Sequence, residues 1–138
     1  NASLAGYHGV PAVFVSGDQA VAAEATNLIP KIHKAVVKKG MGRYSAECLA
    51  PEKTGPLIKK NVTDALANYK KIEPLTVKPP VELKVELSTA NQTDAASMLP
   101  YVERLGGRTL KAVFDDFPLA YRGFSGIISV ASRTKDFR

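Results

Sequence analysis

Apolar and polar positions change rhythm repeatedly along this chain, and each change marks an element. Strict alternation is clearest where Val81, Leu83, Val85 and Leu87 interleave with Glu82, Lys84 and Glu86, which predicts a strand with one buried and one wet face. Before it, residues 1–7 read as the end of a helix, followed by a tight turn at Gly9 and Pro11, a short buried strand over 12–15, and the Ser16-Gly17-Asp18 loop. Asp18 then caps an alanine-rich helix over 19–29, with Ala20, Ala23 and Leu28 at helical spacing, which Pro30 ends. A strand is expected over 32–37 and a loop over 38–44, where Gly40 and Gly42 fall.

The longest helical pattern before the C-terminal one runs over 51–71, with Ile58, Val62, Ala65, Leu66 and Tyr69 on one stripe and lysines opposite. Pro56 lies inside it, so either the regular helix begins there or it kinks. Residues 72–80 hold three prolines and read as a linker or edge segment. After the alternating strand come a short helix over 91–99 stopped by Pro100, and a hairpin of 101–105 and 108–114. Its Gly106-Gly107 pair suits a type I′ turn. Asp115 or Asp116 caps a final helix with Pro118 in its first turn and Phe117, Tyr121, Phe124, Ile128 and Ala131 on the inward stripe.

From residue 32 onward the order is strand, helix, strand, helix, hairpin, helix, which fits an α+β unit with helices gathered on one face of a sheet. Residues 1–30 read instead as the tail of a preceding α/β domain. The expected class is therefore α/β leading into α+β, divided as 1–30 and 31–138. With neither a preceding strand nor a start methionine, Asn1 reads as a place where the chain was cut out of a larger protein.

The 138 residues, 45% apolar and 23% charged, have the composition of a globular chain rather than a disordered one. No apolar run approaches the roughly 18 residues a membrane helix requires. The single cysteine, Cys48, rules out an internal disulfide, and with only His8 and His33 beside it leaves little for a Cys or His metal site. A reducing, cytoplasmic setting follows. Triplets for N-glycosylation at Asn1, Asn61 and Asn91 weigh little, since Asn61 falls in mid-helix. The formal charge of +6 is spread over small clusters at Lys38-Lys39, Lys59-Lys60 and Lys70-Lys71 without interleaved aromatics, the pattern of a solvated basic surface rather than a stacking platform.

Gly40-Met41-Gly42-Arg43 lacks the third glycine of a dinucleotide fingerprint and opens no helix. The Ser16-Gly17-Asp18 loop follows a strand, where open α/β sheets place ligands. Asp18 suits a substrate ammonium, although capping alone explains its residue type. Lys38 and Arg43 suit a peptide carboxylate, Arg43 as a fork and Lys38 as a point charge, or a surface ion pair. Cys48, with no adjacent histidine or second cysteine, reads as a buried hydrophobe, and Tyr7, Tyr44, Tyr101 and Tyr121 as packing residues with bonded hydroxyls. Asn1 is not a nucleophile of the N-terminal hydrolase kind.

A series of residues carries a resemblance: Asn1-Ala2, Ala5-Gly6-Tyr7, Val10-Pro11, Gly17-Asp18, Glu24-Ala25, Ile29-Pro30, Val37-Lys38, Arg43, Cys48-Leu49, Pro51, Leu99-Pro100, Asp116 and Ala120-Tyr121. In that order they resemble the C-terminal half of the zinc-dependent D-aminopeptidases associated with a dipeptide-transport operon. The resemblance implies the tail of a Rossmann-like three-layer domain followed by a two-layer α-β sandwich. It implies a metallopeptidase that removes N-terminal D-residues from short peptides and assembles as a ring of identical subunits, with no membrane or nucleic-acid partner. Its zinc ligands would precede Asn1, the last being a glutamate about one turn upstream, so this chain would hold no catalytic or metal residue. What remains is a wall of the site: Asn1, Asp18, Lys38 and Arg43 as substrate-binding residues. Two other readings stand beside it, an assembly module using the helices at 51–71 and 116–133, and a nucleic-acid binder resting on the +6 charge.

Overall fold

The computed structural model describes residues 1–134, and its contacts divide the chain into two units, Asn1–Leu75 and Thr76–Arg138. In the first unit, helix α1 (Ala2–Tyr7) ends where Gly9 takes φ 75°. The Gly9 and Val10 amides turn back to the carbonyls of Gly6 and Ala5, both at 2.9 Å, closing the helix through the left-handed residue that glycine adopts without strain. Gly6 is buried against Leu75, close enough that a Cβ would stand 2.1 Å from its carbonyl oxygen. The chain then builds a strand-helix-strand unit from β1 (Phe14–Gly17), α2 (Gln19–Leu28) and β2 (His33–Val36). β1 and β2 are parallel, from Phe14↔His33 to Gly17↔Val36. This ladder joins residues on either side of residue 30, and the contacts part the chain near residue 75.

The segment 38–44, expected as a loop, is half of a hairpin: β3 (Lys38–Gly42) pairs antiparallel with β4 (Ser45–Cys48). Nearly every residue of both strands is exposed, so no apolar alternation marked them in the sequence. Helix α3 (Pro51–Asn68) starts with Pro51 in its first turn, where a missing N–H costs nothing, and runs through Pro56. It therefore starts before Pro56 and not at it. Its covered face centres on Ala65, fully buried, with Leu57, Ile58 and Val62 half-buried, whereas Leu66 is 61% exposed. α3 packs on β1 and β2.

The second unit holds β5 (Val81–Glu86), α4 (Ala90–Ala96), β6 (Glu103–Arg104), β7 (Thr109–Phe114) and α5 (Phe117–Ala131). Its antiparallel sheet has the order β5-β7-β6. Val81, Val85 and Leu87 are buried as the alternation required, and Val85, Leu87, Ala96, Leu110, Ile127 and Ala131 form one core cluster. Thr89 and Gln92 close a capping box on α4, and the Asp116 carboxylate caps α5 by accepting from the Leu119 N–H at 2.7 Å. The buried face of α5 is Ala120, Gly123, Ile127 and Ala131; Phe124 and Ile128, expected inside, are exposed. Small residues let α5 approach the sheet, and the Phe114 ring fills the space over Gly123. The turn after β6 is not type I′, because Gly9 is the only residue with positive φ among those described. Instead the Leu105 and Gly106 amides both reach the Thr109 carbonyl, and the Arg104 guanidinium donates to the carbonyls of Gly106 and Gly107.

Candidate functional site

The carboxyl ends of β1 and β2 lie side by side, and the residues that leave them meet there. Asp18 follows β1 and caps α2: its Oδ1 accepts from the Ala20 and Val21 N–H groups at 3.1 and 2.9 Å. Capping therefore engages one oxygen. The other, Oδ2, faces Gly40 of β3, where a Cβ would stand 3.2 Å from it. Val37, leaving β2, donates its N–H to the Gly17 carbonyl at 2.9 Å, so the segments that follow the two strands leave from adjacent backbone. Lys38 and Gly40 are two apart on β3, so their side-chain directions share one face, the face on which Asp18 lies.

At the base of the hairpin an open cleft of about 250 Å³ is lined by Val36, Lys38, Lys39, Glu47, Cys48 and Leu49. Lys38 pairs with Cys48 across the ladder. Cys48 is exposed, contrary to the buried role expected of it; its chain neighbours Glu47 and Leu49 are exposed as well, and every residue of β4 is open to solvent. Two lysines and one glutamate give the cleft a net positive wall suited to an anionic group.

The remaining sequence-derived candidates are dispersed. Arg43 sits at the far end of the hairpin with its guanidinium 5.5 Å above the Tyr44 ring, roughly 15 Å along the strand from Lys38. Tyr44 itself is 90% exposed, so its expected packing role does not hold. Tyr101 does have the expected bonded hydroxyl, donating to the Gly123 carbonyl at 3.2 Å. Asn1 opens α1, its carbonyl accepting from the Ala5 N–H. His8 is exposed, whereas His33 lies in β2 and faces Asp64 of α3. The Asp64 carboxyl is held below its ordinary value first by its hydrogen bond from Lys60 and further by the charges of Lys60 and His33, against partial desolvation. Among the described residues no group of three or more His, Cys, Asp and Glu side chains could hold a metal ion, and no helix is long and apolar enough to cross a membrane.

Two residues of this region escaped the sequence reading. Gln19 accepts from the Gly40 N–H at 3.0 Å and donates to the Gly40 carbonyl at 3.4 Å. Gln19 is exposed at the first position of α2, where a glutamine is unremarked, and Gly40 belonged to a discarded nucleotide motif.

Comparison with known proteins bears on this arrangement. A family model described as D-aminopeptidase matches residues 1–125. A curated D-aminopeptidase of Bacillus subtilis (strain 168) is 35% identical over 135 residues, covering 97% of this chain and 49% of that protein. Among solved structures, the Zn-dependent D-aminopeptidase DppA from Bacillus subtilis, described as a self-compartmentalizing protease, superimposes with a TM-score of 0.92 at 34% identity, over 99% of this chain and 50% of its own. The chain thus spans about half the length of the relatives it matches. With the family model extending over α1 through most of α5, the chain belongs to the D-aminopeptidase family.

Proposed function

We propose that this chain is the C-terminal half of a metal-dependent D-aminopeptidase, and that its part in the reaction is to receive the substrate rather than to hold the metal. The observation that carries this is the superposition over 99% of the chain on half of a zinc-dependent D-aminopeptidase. Among the described residues no group of three or more His, Cys, Asp and Glu side chains could hold a metal ion; in this reading the zinc of the full-length protein is held by residues outside this chain. The chain's own residues bind and orient a short peptide. Asp18 Oδ2 accepts from the substrate ammonium while Oδ1 continues to cap α2, and Lys38 meets the peptide carboxylate as a point charge. Arg43, at the hairpin tip, and Asn1, at the start of α1, serve the outer margin of the same wall.

Lys34 Nζ reaches the Thr26 hydroxyl on α2 at 2.9 Å, while its neighbour His33 faces α3. Adjacent strand residues point to opposite faces, which supports helices on both sides of the parallel pair, as in a Rossmann-like three-layer domain. A two-layer α-β sandwich describes the second unit, whose β5 is buried on one face and exposed on the other. Identical subunits form a closed ring, as the self-compartmentalizing description of DppA suggests, and a single free thiol suits the cytoplasm. The test compares the full-length protein with the isolated 138-residue chain on a D-alanyl peptide with added zinc. The expected result is hydrolysis by the full-length protein alone. Hydrolysis by the isolated chain, or none by the full-length protein, contradicts the proposal.

A further inference from the structure

The β3–β4 hairpin is a two-stranded ribbon, an arrangement with marginal stability of its own, and both of its strands are almost wholly exposed. Its position beside Asp18 therefore requires a tether. At its base the Leu49 N–H donates to the Val37 carbonyl at 2.9 Å. In an antiparallel ladder hydrogen-bonded and non-hydrogen-bonded pairs alternate. With the register Lys38↔Cys48, Lys39↔Glu47, Gly40↔Ala46, Gly40 then falls in a non-hydrogen-bonded pair, its N–H and C=O turned to the outer edge. Gln19 occupies that edge. Its side-chain amide both accepts from and donates to Gly40, reproducing the two-bond exchange of one further strand residue. Glycine at position 40 lets the Asp18 carboxylate sit close to the hairpin, since a Cβ there would stand 3.2 Å from Asp18 Oδ2.

We propose that Gln19 is a positioning residue for the substrate site: its amide clamps Gly40, and through Gly40 holds the hairpin that carries Lys38 against the Asp18 loop. This rests on the functional reading above, in which Asp18 and Lys38 receive the two ends of a short peptide. A displaced hairpin separates these charges without touching the reacting atoms, so the loss falls on substrate binding.

The experiment uses the full-length protein with Gln19→Leu, which removes both bonds while keeping a good helix former, and Gln19→Glu, which keeps the acceptor for the Gly40 N–H. Steady-state kinetics on a D-alanyl dipeptide and hydrogen exchange of the Gly40 amide are measured together. The expected result for Gln19→Leu is a KM about tenfold higher with kcat within twofold, and Gly40 exchange at least tenfold faster; Gln19→Glu falls between it and the unaltered protein on both readouts. Unchanged Gly40 exchange shows that no clamp exists and overturns the proposal. So does accelerated exchange with unchanged KM, which leaves Gln19 a purely structural role. Absence of activity in the unaltered protein overturns the functional reading and the substrate role with it, and is told apart from failure of the clamp by the Gly40 exchange rates.

Discussion

In Thr76–Arg138 large side chains, Val85, Leu87, Leu110 and Ile127, meet in one cluster under a three-stranded antiparallel sheet. In Asn1–Leu75 the buried positions are mostly small, Gly6, Ala22, Ala35 and Ala65, joined by Ile29 and Ile72 around a two-stranded parallel pair. The first arrangement draws its stability from apolar area removed from water. The second depends on backbones that approach closely and on polar groups that fix loops: the Gly6 contact with Leu75, the Asp18 cap, and the Gln19 bonds to Gly40. Candidate chemistry collects in the second kind of region, where loops at strand ends are held by a few directed bonds and can present unpaired polar groups to a ligand.

The difference can be broken or sharpened by substitution. Leu110→Ala should have the largest effect, lowering the stability of the second unit by about 4 kcal/mol through a cavity in its core, read from denaturant midpoints with probes in each unit. A shift confined to the first unit would contradict the separate cores. Gly6→Ala should cost the first unit about 3 kcal/mol, because the added methyl meets the Leu75 backbone rather than a side chain that can rotate; unchanged stability would show that the two segments part freely. Asp18→Ala should cost about 1 kcal/mol by removing the cap and raise KM for a D-alanyl peptide in the full-length protein, with the two losses measured by thermal melts and kinetics on the same sample.

The smallest effects belong to surface ion pairs. Asp64 in the first unit is lowered chiefly by its hydrogen bond from Lys60. Its contribution is present above the ordinary carboxylate range and fades as pH falls through the lowered value. Lys111 in the second unit is raised chiefly by its hydrogen bond to Glu82, so its contribution is present below pH 10.5 and fades as pH rises through the raised value. Both residues are half-exposed, and Asp64→Asn and Lys111→Gln melts should differ from the parent only slightly, and less at high salt.

The sequence rendered the second unit well where periodicity had a physical cause. The alternation from Val81 to Leu87 and the Asp116 cap appear as expected, since one-sided burial and an N-cap each demand particular residue types. It failed on α5 by one helical position, because Ala120 and Gly123 carry the packing that the larger Phe124 and Ile128 advertised. It failed on the β3–β4 hairpin because a ribbon exposed on both faces leaves no hydrophobic period to read. At the candidate site, Asp18 was legible as a cap. Gln19 was not, since its partner Gly40 is 21 residues away and only the register of an unmarked hairpin brings them together.

The substrate-receiving role is tested most directly at the positive wall of the hairpin-base cleft. In the full-length protein, KM is measured for a D-alanyl dipeptide with a free carboxylate and for the same dipeptide as its amide, before and after Lys38→Gln. The unaltered protein should favour the free carboxylate about tenfold, as a charge-assisted contact allows, and Lys38→Gln should abolish the preference with kcat for the amide unchanged. Equal KM values for the two peptides in the unaltered protein, or a preference that survives Lys38→Gln, would contradict that role.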